Sequence, residues 1–225
     1  MPAFAGFDVD IYPGDTVMNW LLANTNLAWC GYYLAPAPSH PESSWMGNRG
    51  NLQAAGWGVA PLYVGEQVIP PGSENPSAWK GTQDGNDAAD TMNAEGFASG
   101  SCVYLDLEDG SLPAQLAAYT LAWCTAVDAR QYQPGVYCSH VIAQRVHNLF
   151  PGAILWAFKV PKVEPAFANP FPTPNPVGSG YGGANAWQLA QNVPISVPAA
   201  PNGTLKVDLS SALVQDPGAP SDPTP

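Results

Sequence analysis

Residues 102–110 read CVYLDLEDG. Side chains alternate along a strand, so Val103, Leu105 and Leu107 share one face while Tyr104, Asp106 and Glu108 share the other. The apolar face can pack under helices. The opposite face carries two carboxylates whose Cα atoms stand roughly 6.5–7 Å apart. They fall at the C-terminal end of the strand and point toward a barrel axis, where barrels place their reactive groups. Burying two acids there is costly without a partner or a purpose.

The same parity recurs on both sides of this stretch. In GFDVDIYPG (6–14), Phe7, Val9 and Ile11 face outward while Asp8 and Asp10 face inward. In LKVDLSS (205–211), Leu205, Val207 and Leu209 face outward and Asp208 inward. Between these segments short apolar runs alternate with amphipathic ones, jointed by Gly, Pro, Asn or Asp, the pattern of repeated βα units. Strands are predicted at Gly6–Ile11, Ala28–Leu34, Val59–Gly65, Cys102–Glu108, Gly135–Ser139, Ala153–Val160, Ala186–Ala190 and Leu205–Leu209. Helices are predicted at Asp15–Ala23, Ser44–Ala55, Gly85–Phe97, Pro113–Arg130 and His140–Phe150. Eight strands suffice to close a barrel, so the expected fold is α/β, a TIM-like (β/α)8 barrel. It should be irregular in its last third, because Pro161–Ala184 is too rich in Pro, Gly and Asn for an ordinary helix. A second long loop is expected over Glu66–Lys80. Residues 1–213 form the expected barrel domain. Residues 214–225 are expected to be a flexible Pro-rich tail, since QDPGAPSDPTP offers few apolar groups for packing.

Composition narrows the partners. Of 225 residues, 46% are hydrophobic and 11% charged, where about 25% charged is usual, so the surface is dominated by neutral polar groups. That suits neutral polar ligands. Seven Lys and Arg against 18 Asp and Glu give a net charge of −11, which excludes partners that present phosphate, whether nucleic acids or anionic membranes. The opening MPAFAGFDVD has neither a charged n-region nor an apolar h-region, and no stretch approaches a membrane span. The expectation is a soluble chain with no export signal of its own; an extracellular mature form, an excised domain or a phage protein released by lysis all remain open. Cys30, Cys102, Cys124 and Cys138 lie in apolar runs without CxxC or Cys/His spacing, so they read as buried free thiols, or as one disulfide in an extracellular protein.

The candidate chemistry rests on Asp8, Asp106 and Glu108. Crowded carboxylates raise one another's pKa, which lets one stay protonated near neutral pH as a general acid requires. Asp10 and Asp109 read instead as helix caps or solvated groups. Tyr33, Tyr63, Tyr137, Trp156 and Trp187 fall in or at the ends of strands, where rings can stack on sugar faces or simply fill the core. Gln188 is a hydrogen-bonding candidate beside Trp187. His40, His140 and His147 lie away from the strand ends, and no GxGxxG or GxxxxGK[S/T] is present, so no nucleotide cofactor is expected. A further reading takes Asp8, Asp106, Glu108 and Asp208 as oxygen ligands of Mg²⁺ or Ca²⁺; the paired-acid reading needs no metal.

The ordered set GFDVDIYPG, GWGVAPLYVG, VYLDLED, GVYCS, ILWAFKV, AWQLAQN and KVDLSSA resembles the glycoside hydrolase family 25 lysozymes. It resembles more closely a glycoside-hydrolase-like domain family of unknown function related to them. The likeness spans Gly6 to Ala212. It implies an irregular (β/α) barrel and cleavage of peptidoglycan between N-acetylmuramic acid and N-acetylglucosamine. It also implies that Glu108 is the general acid, that Asp106 is the assisting carboxylate, and that Asp8 is the first-strand acid. Asp208, Trp187 and Gln188 match the family's Val-Asp-Leu and Trp-Gln motifs. The chain departs from the lysozyme opening, with Asp10, Ile11, Tyr12 and Pro13 where a Ser and a Gln usually follow the Asp-Val. The resulting expectation is a monomeric glycosidase, lysozyme- or muramidase-like, acting on peptidoglycan or a related cell-envelope polysaccharide. The alternative is a carbohydrate-binding barrel that keeps the groove without turnover.

Overall fold

The computed structural model describes residues 3–68, 75–162 and 166–220. Eight strands close a barrel in sequence order: β1 (Phe4–Asp8), β2 (Leu27–Tyr33), β3 (Gly58–Val64), β4 (Cys102–Leu107), β5 (Gln133–Ser139), β6 (Ile154–Phe158), β7 (Ala186–Ser196) and β8 (Thr204–Ala212). Strands β1 to β7 run parallel. The last strand is antiparallel to both of its neighbours, β7 and β1. Strands of the parallel part are buried on both faces, as in CVYLDL of β4, because the lumen covers one face and helices the other.

Among the described residues five helices pack outside: α1 (Asp15–Asn24), α2 (Arg49–Ala55), α3 (Ala78–Ala94), α4 (Ala114–Ala129) and α5 (Ala143–Leu149). Helix α3 begins seven residues earlier than the sequence predicts. The Ser77 side chain caps the helix by accepting from the Lys80 amide at 3.2 Å, and Gly81 and Gly85 pack closely on α4. Helix α2 starts at Arg49 rather than Ser44, after a turn. Among its described residues, the crossover from β6 to β7 contains a 3-10 turn, Pro176–Ser179, and no α-helix, so the barrel is irregular in its last third, as expected from its prolines.

The β7–β8 hairpin is longer than predicted. Its pairing runs from Ala186↔Ala212 to Ser196↔Thr204, whereas β6 accompanies β7 only as far as Phe158↔Gln188. The outer half therefore stands above the barrel rim. Pro194 does not stop the strand there, because the raised ribbon has no third strand demanding its missing N–H.

Below the rim the lumen is filled. Trp156 meets Trp29 and Tyr104 edge-on, with centroids 5.1 and 5.7 Å apart. Gly6 makes room for this: a Cβ on it would lie 2.0 Å from the Trp29 ring. The far end of the barrel is closed by residues that the sequence assigns to a flexible tail. Asp216 Oδ1 accepts from the Val59 amide at 2.9 Å, Tyr104 donates to the Pro217 carbonyl at 3.0 Å, and the Cys102 amide donates to the Gly218 carbonyl at 3.0 Å. Pro217 and Gly218 are buried. This corrects the flexible-tail expectation over 215–220, where polar main-chain bonds rather than apolar side chains hold the segment. The rest of the tail, 221–225, lies outside the described residues. All four cysteines are buried and free. No helix among the described residues is long and apolar enough to cross a membrane.

Candidate active site

With the floor packed and the far end plugged, the open end of the lumen is the C-terminal mouth. A cavity of about 240 Å³ opens there, lined by Asp8, Asp10, Tyr33, Asp106, Glu108, Tyr137, Trp156, Gln188 and Asp208, together with Val9, Leu62, Gln191, Asn192, Lys206 and Val207. Each acid is turned inward by the parity argument. Asp8 closes β1, Asp106 and Glu108 lie at and just beyond the end of β4, and Asp208 is the register partner of Asp8 across the β1–β8 seam.

The polar groups form a connected wall. Tyr33 donates to Asp8 Oδ2 at 3.1 Å, and the Tyr33 ring stacks on His40 with centroids 4.8 Å apart. Tyr137 donates to Gln188 Oε1, and Gln188 Nε2 donates to Asp208 Oδ2 at 2.7 Å. The Asn192 amide donates to Asp208 Oδ1 at 2.8 Å. That contact depends on the β7 bulges between Gln188 and Val193, where Asn192 adopts φ 54°, a left-handed conformation that Asn tolerates better than most residues. Trp156 forms the floor, with Nε1 donating to Ser210 Oγ at 3.2 Å.

Two buried carboxylate oxygens of the cavity lining, Asp8 Oδ1 and Asp106 Oδ1, have no hydrogen-bond partner, and their residues are only 8% and 6% exposed. Burial raises the pKa of Asp8 well above the usual carboxylate range; the charge of Asp208 adds to the rise and the Tyr33 bond opposes it. Burial likewise raises Asp106, followed by the charges of Glu108 and Asp8. Glu108 sits at the rim with one side open to water. The crowded mouth still desolvates it, and with Asp10 and Asp109 raises its pKa, though less than that of Asp106.

The structure thus brings Asp8, Asp106, Glu108, Asp208, Tyr33, Tyr137, Trp156 and Gln188 to one cavity. It separates Tyr63 and Trp187 from them. Tyr63 faces the helices, donating to Asp87 Oδ2 at 2.9 Å and lying beside Trp123, while its neighbour Leu62 points into the cavity. Trp187 faces outward, with Nε1 donating to the Lys159 carbonyl at 3.2 Å and its ring against Gly178. Both sit one residue away from an inward position, and strand parity applied to Gln188 excludes Trp187.

Asp10 lines the mouth as an exposed, solvated group rather than capping a helix. Asp109 is neither a cap nor solvated; it is buried, and its Oδ2 accepts from the Val68 amide at 3.0 Å. Gln191, Asn192 and Lys206 belong to the raised hairpin, whose extent past Ala190 has no local sequence signal. Among the described residues, no group of three or more His, Cys, Asp or Glu is placed so as to hold a metal ion.

A closed barrel, parallel except for its last strand, with acids from β1, β4 and β8 converging at the C-terminal mouth, defines a glycoside-hydrolase-like barrel. The chain belongs to the Rv2525c-like, glycoside hydrolase-like domain family, whose model matches residues 21–194. Three solved structures share the fold over nearly their whole length. The Mycobacterium tuberculosis Tat-secreted protein Rv2525c, in complex with HEPES, is 15% identical with a TM-score of 0.63, over 96% of this chain and 98% of that one. An uncharacterized protein of B. stearothermophilus is 17% identical with a TM-score of 0.61, over 93% and 95%. The bacterial lysozyme from Streptomyces coelicolor is 14% identical with a TM-score of 0.60, over 94% and 92%. No curated protein matches the chain.

Proposed function

We propose that the protein is a glycosidase acting on peptidoglycan or a related cell-envelope polysaccharide, through the carboxylates at the end of β4. The observation that carries this reading is the placement of Asp106, buried with one unpartnered oxygen, two residues before rim-exposed Glu108 in a single cavity. A lysozyme among the fold relatives supports the substrate class.

Before a glycan binds, the proton is held most strongly by the buried acids, Asp106 and Asp8. The acids titrate as a coupled set, so a proton belongs to the group as a whole. A glycan entering the mouth places its leaving oxygen at the accessible carboxyl, Glu108, which protonates it. Positive charge then develops at the anomeric carbon and favours ionised Asp106, which stabilises it. The Tyr137–Gln188–Asp208 chain holds the opposing wall and offers hydrogen bonds to sugar hydroxyls. Trp156 provides an apolar floor. If the two carboxyls flank the bond too closely for a water to enter between them, the reaction retains anomeric configuration. In that case the substrate's own acetamido oxygen is the nucleophile: it bonds the anomeric carbon as the glycosidic bond breaks, and a water deprotonated by the now ionised Glu108 opens the resulting oxazolinium ion and restores the acid.

The test is reducing-end release from purified peptidoglycan and a glycan panel, with wild type beside Glu108→Gln, and NMR of the first anomer formed. Release by wild type alone supports the reading. Equal release by Glu108→Gln removes Glu108 from the mechanism. Saturable binding without release by either protein assigns the groove to binding alone.

A further inference from the structure

Strand β3 pairs with β4 at Leu62↔Tyr104, Tyr63↔Leu105 and Val64↔Asp106, and there the ladder ends. On the other side, β5 accompanies β4 only to Leu107↔Cys138. Glu108 therefore lies one residue past the last paired position, where a strand end ordinarily frays. In a parallel ladder, a residue on one strand bonds the carbonyl and the amide that flank its opposite number. The next such pair on β4 is the Asp106 carbonyl and the Glu108 amide, and the Gln67 side chain takes both. Its Nε2 donates to the Asp106 carbonyl at 2.8 Å and its Oε1 accepts from the Glu108 amide at 3.2 Å. Gln67 is 5% exposed. One side-chain amide thus takes the two bonds that the main-chain N–H and C=O of the next β3 residue would have made in a longer ladder.

The base of the loop that carries Gln67 is itself anchored. The Glu66 amide donates to the Tyr119 hydroxyl at 3.1 Å, and the Glu66 carboxylate pairs with Lys80 at 3.4 Å. The Val68 amide donates to Asp109 Oδ2 at 3.0 Å, so the flanks of both segments are tied together. Holding residues 106 to 108 extended keeps the two carboxyls on the same inward face; a turn at Leu107 would swing Glu108 off the cavity.

We propose that Gln67 is a positioning residue that sets the orientation of Glu108 by continuing the β4 ladder with its side-chain amide. The catalytic consequence rests on the glycosidase reading above, whereas the ladder contact does not. Gln67→Met removes both hydrogen bonds at nearly constant volume. It should lower kcat about 10- to 100-fold, the scale of a small misplacement of a reacting group, with KM within about twofold. Gln67→Glu adds a distinguishing readout. Protonated, its carboxyl can donate to the Asp106 carbonyl and accept from the Glu108 amide as the amide does; ionised, it opposes that carbonyl with a lone pair. Its activity relative to wild type should therefore recover as pH falls, while that of Gln67→Met should not.

Wild-type kcat in Gln67→Met, or a Gln67→Glu enzyme as slow as Gln67→Met at every pH, overturns the proposal. If wild type hydrolyses no glycan, the glycosidase reading fails separately and amide hydrogen exchange decides the positioning role. Exchange at Glu108 at least about tenfold faster in Gln67→Met, with Leu105 unchanged, supports it; equal protection at Glu108 overturns it.

Discussion

Asp8 and Asp208 face each other residue for residue across the antiparallel β1–β8 seam. Like charges directly opposite destabilise a sheet, and here each is tied elsewhere, Asp8 to Tyr33 and Asp208 to Gln188 and the Asn192 amide. The pairing is a stability cost concentrated at the mouth of the barrel.

That cost should be visible in the pH dependence of stability. The folded pKa of Asp8 lies above its unfolded value of about 3.8, so the native state binds the extra proton and stability falls as pH rises from about 4 through the folded pKa. Asp8→Asn removes this loss. At neutral pH it should raise the melting temperature by at least about 2 °C, the scale of roughly 1 kcal/mol in a chain of this size. Below about pH 4 the two proteins should melt together. Asp106→Asn should behave in the same way, and thermal melts from pH 3 to 8 test both.

Gln188→Leu keeps much of the side-chain volume but strands the buried Tyr137 hydroxyl and removes a donor from Asp208. Leaving a buried polar group unpaired costs about 1–3 kcal/mol. The variant should melt earlier and bind glycan more weakly, readable by calorimetry and titration. An unchanged melting temperature would show that the wall reorganises around the loss.

Tyr63→Phe and Tyr33→Phe should separate the site from the core around it. Tyr63 donates to an exposed Asp87, which water can satisfy, so its loss should cost about 0.5–1.5 kcal/mol and leave glycan hydrolysis within about twofold. Tyr33→Phe removes the bond that opposes the rise in the pKa of Asp8. Its pH–activity profile should shift, and that of Tyr63→Phe should not.

The closing segment gives a prediction far from the chemistry. Deleting residues 216–225 leaves the Val59 and Cys102 amides and the Tyr104 hydroxyl without partners. At about 1–3 kcal/mol for each buried group, denaturant unfolding should show a loss of several kcal/mol. Gly58→Ala attacks the same contact from the other side, since its Cβ would stand 1.9 Å from the Gln215 carbonyl, and it should also be destabilising.

Much of this was legible in the chain. Alternation alone puts Asp106 and Glu108 on one face and sets Asp8 and Asp208 opposite the apolar residues of their strands, because a period of two is a local property of an extended backbone, and the proline-rich stretch before β7 announces a crossover without an α-helix among its described residues. Other features depend on residues distant in sequence. Tyr63 and Leu62 are equally plausible cavity residues until the barrel axis is set by the packing of all eight strands. Gln188 enters the site, and Trp187 does not, through the register of β7 against β6. The Pro-rich terminus finds its bonds only against strand edges that start at Val59 and Cys102, and Gln67 finds its partners only where β3 has left β4. The sequence by itself determined which residues share a face of each strand, since alternation is local; the tertiary structure decided which face turns inward on β3 and β7 and which inward residues meet, since register and closure are set by contacts between segments far apart in the chain.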